Sequence, residues 1–268
     1  MANDTLKIEE FRNRFKDESL FGNQDIAEFY KQFETNVKPK TVNWRIYTLM
    51  QTGVLQRIGR GRFKLGEGKN YLPEVSSKMK SIYNKVRQNF PYLNICIWNT
   101  SSLNEFMIHQ PNRFYYLLEV EKAAAESVFY FLRDAKFAVF LEPKKDILEK
   151  YLPEEKEVII VKSLVSEAPL LSVEKINTVS IEKILVDIFC EDVIFSAQQG
   201  SEMRTIFESA SATYTVNQSK MLRYADRRGK KDGLDEFIKT LNDSRQKTSV
   251  RYQNLGNDKS ERNINRMA

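Results

Sequence analysis

Two carboxylates and a lysine stand together in the run Glu119-Val-Glu121-Lys122, at the end of an apolar stretch that begins at Phe114. If that stretch is a strand, Glu119 and Glu121 alternate in step and point to one face of a sheet. Paired acids beside a lysine at a strand end are how two-metal nucleases hold magnesium and a nucleophilic water. The same pattern arises from a structural salt-bridge network, or in a nuclease-like fold without activity. Catalysis would need another acid on a neighbouring strand. Residues 93–98 offer none, and Glu105 falls on the following helix. Composition removes other chemistries. The 268 residues include one histidine, His109, and two cysteines, Cys96 and Cys190. Without a Cys-x-x-Cys pair there is no zinc site of the usual spacing. No Gly-x-Ser-x-Gly elbow accompanies His109, and no phosphate-binding Gly-x-x-x-x-Gly-Lys-Ser/Thr run occurs. Gly59-Arg-Gly61 begins like a dinucleotide fingerprint, but position 64 is Lys. Both cysteines lie in hydrophobic stretches and read as buried free thiols of a reducing cytosol. No catalytic residue, metal or cofactor is expected.

The other chemistry-bearing set is cationic. Residues 35–69 hold eight Lys and Arg against one acid, Glu67. Residues 1–69 carry a net +4, residues 70–214 a net −4 and residues 215–268 a net +6. An acidic middle flanked by basic ends suggests a polyanion-binding module attached to something else.

The elements around residues 35–69 suit a groove-binder. Leu6, Phe11 and Phe15 predict a first helix over 6–16. Asn23 can cap a second, with Ile26, Phe29, Tyr30 and Phe33 on one face. Lys38-Pro39-Lys40 opens a third, because proline is tolerated in a first turn. Val42, Ile46 and Leu49 should face the core. Lys40, Thr41, Trp44, Arg45 and Thr48 then lie mostly on the outer face, with Asn43 and Tyr47 at its margin. Trp44 suits a nucleic-acid contact and ordinary core packing equally. Gly53 ends the helix. Val54–Ile58 and Arg62–Leu65 predict a hairpin joined by Gly59-Arg60-Gly61. Three helices and a basic hairpin are the order of a winged helix-turn-helix. On this reading Lys38, Lys40, Thr41, Asn43, Trp44 and Arg45 contact a DNA groove, and Arg57, Arg60, Arg62 and Lys64 contact backbone or minor groove. A winged protein-interaction module has the same order of elements.

The run Asn43-Trp-Arg-Ile-Tyr-Thr-Leu-Met50, followed by Gly53-Val-Leu-Gln-Arg-Ile-Gly-Arg-Gly-Arg-Phe-Lys-Leu65, resembles the N-terminal winged helix of the AbiEi family. Those proteins are the antitoxin and transcriptional regulator of type IV toxin–antitoxin, abortive-infection systems. Further on, Ile97-Trp-Asn-Thr100, Leu118-Glu-Val-Glu-Lys122, Ile181-Glu-Lys-Ile-Leu-Val-Asp187 and Leu222-Arg-Tyr-Ala-Asp-Arg-Arg228 resemble an uncharacterised bacterial subgroup of the same family. The resemblance spans roughly residues 5–230. It implies an autorepressing regulator whose partners are operator DNA and a nucleotidyltransferase-like toxin, opposed by the C-terminal half. The surface implied for that half comprises Trp98, Asn99, Glu119, Glu121, Lys122, Lys183, Asp187, Arg223, Arg227 and Arg228.

Beyond a linker at 66–75, strands at 93–98, 114–120, 137–141 and 158–161 alternate with helices starting at Thr100, Ala123 and Pro143, which argues an α/β layer with part of its sheet parallel. Thr100 or Ser101 should cap the first of those helices. Beyond Pro169 the signal is helical, with a stripe of Ile181, Ile184, Leu185 and Ile188. Lys183 and Asp187 can pair at i, i+4 on a solvated face. Arg223 and Arg227 share a helix face, suited to an anionic partner or to the acidic middle of this chain. The fold class expected is α/β (α+β): a winged helix over 1–69, a mixed α/β domain with a helical end over 70–241, and a mobile polar tail over 242–268. The longest apolar runs, such as Phe137–Leu141, are far short of the roughly 18–20 residues that span a bilayer. No signal peptide is visible, so a cytoplasmic protein without a membrane partner is expected.

Overall fold

The computed structural model describes residues 5–59, 61–66, 69–151 and 158–241. Arg60 and the tail expected over 242–268 lie outside the described residues. The chain is of mixed α+β class and contains two separate apolar cores.

The first core is built on rings. Phe11 and Phe15 are four residues apart in α1 (Ile8–Phe15) and so face the same way. Phe15 stacks on Phe21 of β1 (Phe21–Gly22) with centroids 4.1 Å apart, and Phe11 meets Phe29 of α2 (Asn23–Lys31) edge-on at 5.2 Å. The cap of α2 is Gly22 rather than Asn23, and the Asp25 carboxylate accepts the Gly22 N–H at 2.6 Å. Helix α3 (Pro39–Gln51) starts on proline, whose missing N–H has no intrahelical partner to lose. It buries Val42, Ile46 and Leu49 in the same core. Gly53 ends it with φ +69°. The hairpin of β2 (Leu55–Gly59) and β3 (Arg62–Leu65) turns through Gly61 at φ +68°, and β1 joins its far side to give the order β1-β3-β2. This is the expected winged-helix order.

The second core surrounds a four-stranded sheet in the order β4-β5-β7-β6. Strand β4 (Ile95–Asn99) runs antiparallel to β5 (Tyr115–Val120). Strands β5, β7 (Val158–Ser163) and β6 (Val139–Leu141) are parallel. Helix α5 (Ala125–Asp134) links β5 to β6, and α6 (Lys145–Tyr151) links β6 to β7. The turn after β4 is a 3-10 helix over Thr100–Phe106, and Asn99 caps it in place of Thr100 or Ser101.

Two elements differ from the sequence reading. Helix α4 (Ser77–Asn89) falls where no helix is expected, although Met79, Ile82, Tyr83 and Val86 form its buried stripe. The segment after Pro169 opens with a hairpin, β8 (Leu170–Val173) and β9 (Ile176–Val179), rather than with helix. Its two turn residues, Glu174 and Lys175, take φ of +50° and +67°. Such a turn normally uses Asn-Gly or Gly-Gly, so Glu-Lys conceals it. Helices α7 (Ile181–Cys190), α8 (Ser201–Thr213), α9 (Gln218–Arg227) and α10 (231–241) complete the chain.

The segment expected as a linker is docked. Tyr71 and Val75 are buried in the second core, and Lys69 pairs with Tyr214 through Lys69 N–H to Thr213 O and Thr215 N–H to Lys69 O. Gln56 donates to Val216 O at 3.1 Å, and Thr215 Oγ1 donates to Gly53 O at 3.2 Å. Gly66 allows this approach, since a Cβ there would stand 1.9 Å from Gly53 O.

Candidate nucleic-acid interface

Helix α3 presents Lys40, Trp44 and Tyr47 at i, i+4 and i+7, so they share one side of the helix. All three are exposed, Trp44 by 52% and Tyr47 by 58%; Asn43 beside them is exposed and Thr41 half-buried. Trp44 is thus not core packing, and Tyr47 is central rather than marginal. Lys38 is exposed at the N-cap.

Arg45 departs from its expected role. It is 7% exposed, its NH2 donates to Glu34 Oε2 at 2.8 Å, and its guanidinium stacks over Tyr30 at 4.5 Å. Its position 100° round from Trp44 places it between α2 and α3, where a ring and a carboxylate hold it better than water would. Burial pushes the Tyr30 hydroxyl up to about 12, against the opposing pull of Arg45. Replacing Arg45 with alanine is expected to cost about 1–2 kcal/mol of winged-helix stability, discounted because Glu34 is half exposed, and to leave any base preference unchanged. Thermal unfolding and a binding-site selection on the variant check both halves; an altered base preference would return Arg45 to the interface.

The wing cations divide between two faces. Pairing puts Arg57 opposite Phe63 and Gln56 opposite Lys64, so Arg57 shares the helix side of the sheet while Arg62 and Lys64 share the side of Gln56. Arg57 and Arg62 are exposed; Lys64 is half-buried on the face whose Gln56 reaches the second domain.

In the second domain part of the candidate surface is interior. Trp98, Glu119, Lys183 and Asp187 are each at most 1% exposed. Lys183 Nζ donates to both Glu119 oxygens, at 2.6 and 2.8 Å, and also pairs with Asp187. Trp98 Nε1 donates to Glu119 Oε1 at 3.3 Å, and Tyr224 OH donates to Asp187 Oδ1 at 2.9 Å. Arg228 bridges Asp187 and Glu191, and Lys162 also binds Glu191. Three acids face three cations, so the cluster is neutral. The Lys183–Asp187 pair forms as expected, but inside the protein rather than on a solvated face. The reason is that α7 is buried on every side: the sheet covers its charged side and α9 packs across it.

Glu119 and Glu121 do not act as a pair. Glu121 lies one residue past the end of β5, is exposed, and accepts from Asn94 N and Nδ2 at the sheet edge. Among the described residues no group of three or more His, Cys, Asp or Glu is arranged to hold a metal ion. Asn99 spends its side-chain oxygen on the cap, and Lys122 is exposed. Arg223 is exposed, and Arg227 pairs with Glu167. Both cysteines are free, Cys96 buried and Cys190 half-buried. Burial pushes the Cys96 thiol well up and that of Cys190 to about 11, so neither is a thiolate nucleophile at neutral pH. Lys162, Glu191 and Tyr224 belong to the cluster without any sequence signal, because their partners are distant in the chain. Among the described residues no helix is long and apolar enough to cross a membrane.

A family model described as a family of unknown function (DUF6577) matches residues 41–244, beginning in the first turn of α3 and taking in all of α10. The chain belongs to the DUF6577 family. The DUF6577 match takes in Asn43, Trp44 and Tyr47 of α3, the wing and the whole charge cluster, and begins after α1, β1 and α2. No curated protein matches the chain.

Proposed function

We propose that this DUF6577 protein is a DNA-binding transcriptional regulator, the antitoxin of a toxin–antitoxin pair. Its winged helix docks on operator DNA, and its α/β domain opposes a nucleotidyltransferase-like toxin. One observation carries the DNA reading: α3 turns Lys40, Asn43, Trp44 and Tyr47 to solvent beside a glycine-tipped hairpin bearing Arg57 and Arg62. A donor-rich helix enters the major groove, and a thin cationic wing reaches phosphates or minor groove. The antitoxin role is supported by the resemblance to AbiEi regulators alone. The protein acts in the cytoplasm, without a cofactor and without catalysis.

A mobility-shift assay with the full chain and the DNA upstream of its own gene tests the first half. Retention at low salt, weakened in a variant with Lys40 and Arg62 changed to alanine, is the expected result. Absence of any retention overturns the reading. For the second half, the neighbouring gene should encode a nucleotidyltransferase-like protein whose growth inhibition is relieved by co-expression of this chain.

A further inference from the structure

On the reading that α3 enters a DNA groove, its composition dictates what it can recognise there. Guanine is read at O6 and N7 by arginine, whose two parallel donors fit both atoms, or by lysine. The one arginine of α3 is Arg45, which is turned inward onto Glu34 and Tyr30. Lys38 and Lys40 stand at the N-cap and in the first turn of α3, both exposed. That is where phosphate is held, since the helix dipole and both ammonium groups favour an anion. With Thr41 half-buried, the exposed groups left for base edges are Asn43, Trp44 and Tyr47. An asparagine amide both accepts and donates, the pattern that matches adenine N6 and N7. The two rings give the helix an apolar surface, and the only apolar group in the major groove is the thymine methyl. Thr48 is half-buried and has no donor left for a base, because its hydroxyl donates to Trp44 O at 2.9 Å.

We propose that α3 selects A·T base pairs, with Asn43 on an adenine edge and Trp44 and Tyr47 packed on thymine methyls. The wing agrees with this choice. Arg62 is exposed next to Gly61 of the turn, and A·T tracts have the narrow, strongly negative minor groove that draws arginine in.

The test uses the full chain and a pool of randomised duplexes. The enriched core should be A·T. Within the best duplex, uracil in place of thymine removes only the methyl and should weaken binding about threefold per contacted base. Replacing adenine with 7-deazaadenine removes N7 and should weaken it about tenfold. In Asn43→Ala that last sensitivity should vanish, and in Trp44→Ala the response to uracil should shrink. Both side chains are exposed, so circular dichroism of the variants should match the native chain. A G·C core, loss of binding with 7-deazaguanine, or an Asn43→Ala variant still sensitive to 7-deazaadenine overturns the inference while leaving DNA binding intact. Failure to retain any duplex at low salt instead removes the regulator reading, and this inference with it.

Discussion

Lys183→Met is expected to destabilise the second domain by about 3–5 kcal/mol, because it leaves Glu119 and Asp187 buried without their shared cation. Methionine matches the stem of lysine in length, so the loss reports the charge rather than a cavity. Denaturant unfolding followed by tryptophan fluorescence reads it directly. Only two tryptophans occur, and Trp98 touches Glu119 while Trp44 lies on the other module. Glu119→Gln should cost less, since an amide oxygen still accepts from Lys183 and Trp98. A stability unchanged in Lys183→Met would mean that water reaches the cluster.

The same cluster sets an acid limit. Burial would raise the Asp187 carboxyl, but Lys183, Lys162 and Arg228 together hold it below the usual carboxylate range. A depressed folded value means that the stabilisation is complete above the unfolded value of about 4 and is lost as pH falls below it. Lys183 has the opposite sign. Burial pushes it down, yet Asp187 and Glu119 raise it well above the ordinary lysine range, so its contribution persists through neutral pH and fades only in strong alkali. Unfolding of the second domain is therefore expected to become easier from about pH 4 downward, with little change between about pH 6 and 8.

The second large effect concerns salt. If the winged helix neutralises about six phosphates, the logarithm of affinity should fall against the logarithm of salt with a slope of about −5. Raising salt from about 50 to about 200 mM would then weaken binding about a thousandfold. Removing the ammonium of Lys40 and the guanidinium of Arg62 should flatten the slope by about two and weaken all sequences alike, because phosphates carry no base identity. Fluorescence anisotropy over a salt series measures both. A slope near zero in the native chain would assign the aromatic face of α3 to a protein partner and remove the phosphate contacts from the wing.

Those two experiments fall on opposite sides of a boundary in legibility. The winged module is readable because its determinants are local. Val42, Ile46 and Leu49 mark one side of a helix by spacing alone, Pro39 and Gly53 mark its ends, and Gly61 permits the positive φ of the wing. Turn chemistry also explains the miss at 170–179, where Glu174 and Lys175 take a backbone shape that residue type does not advertise.

Which charges face water is a different kind of fact. Spacing assigns Arg45, Lys183 and Asp187 to the solvent side of their helices, and all three are buried instead. It says nothing of what stands opposite. Arg45 is met by Glu34 from the turn after α2, Lys183 by Glu119 from a strand 64 residues earlier, and Asp187 by Arg228 from the end of α9, 41 residues later. Helical period is a property of a few neighbouring residues, whereas burial depends on which distant segments pack over a face. Charge count and chain order therefore identified a basic winged module joined to an α/β domain, and long-range packing chose which of its ions form an internal cluster and which remain available to a partner.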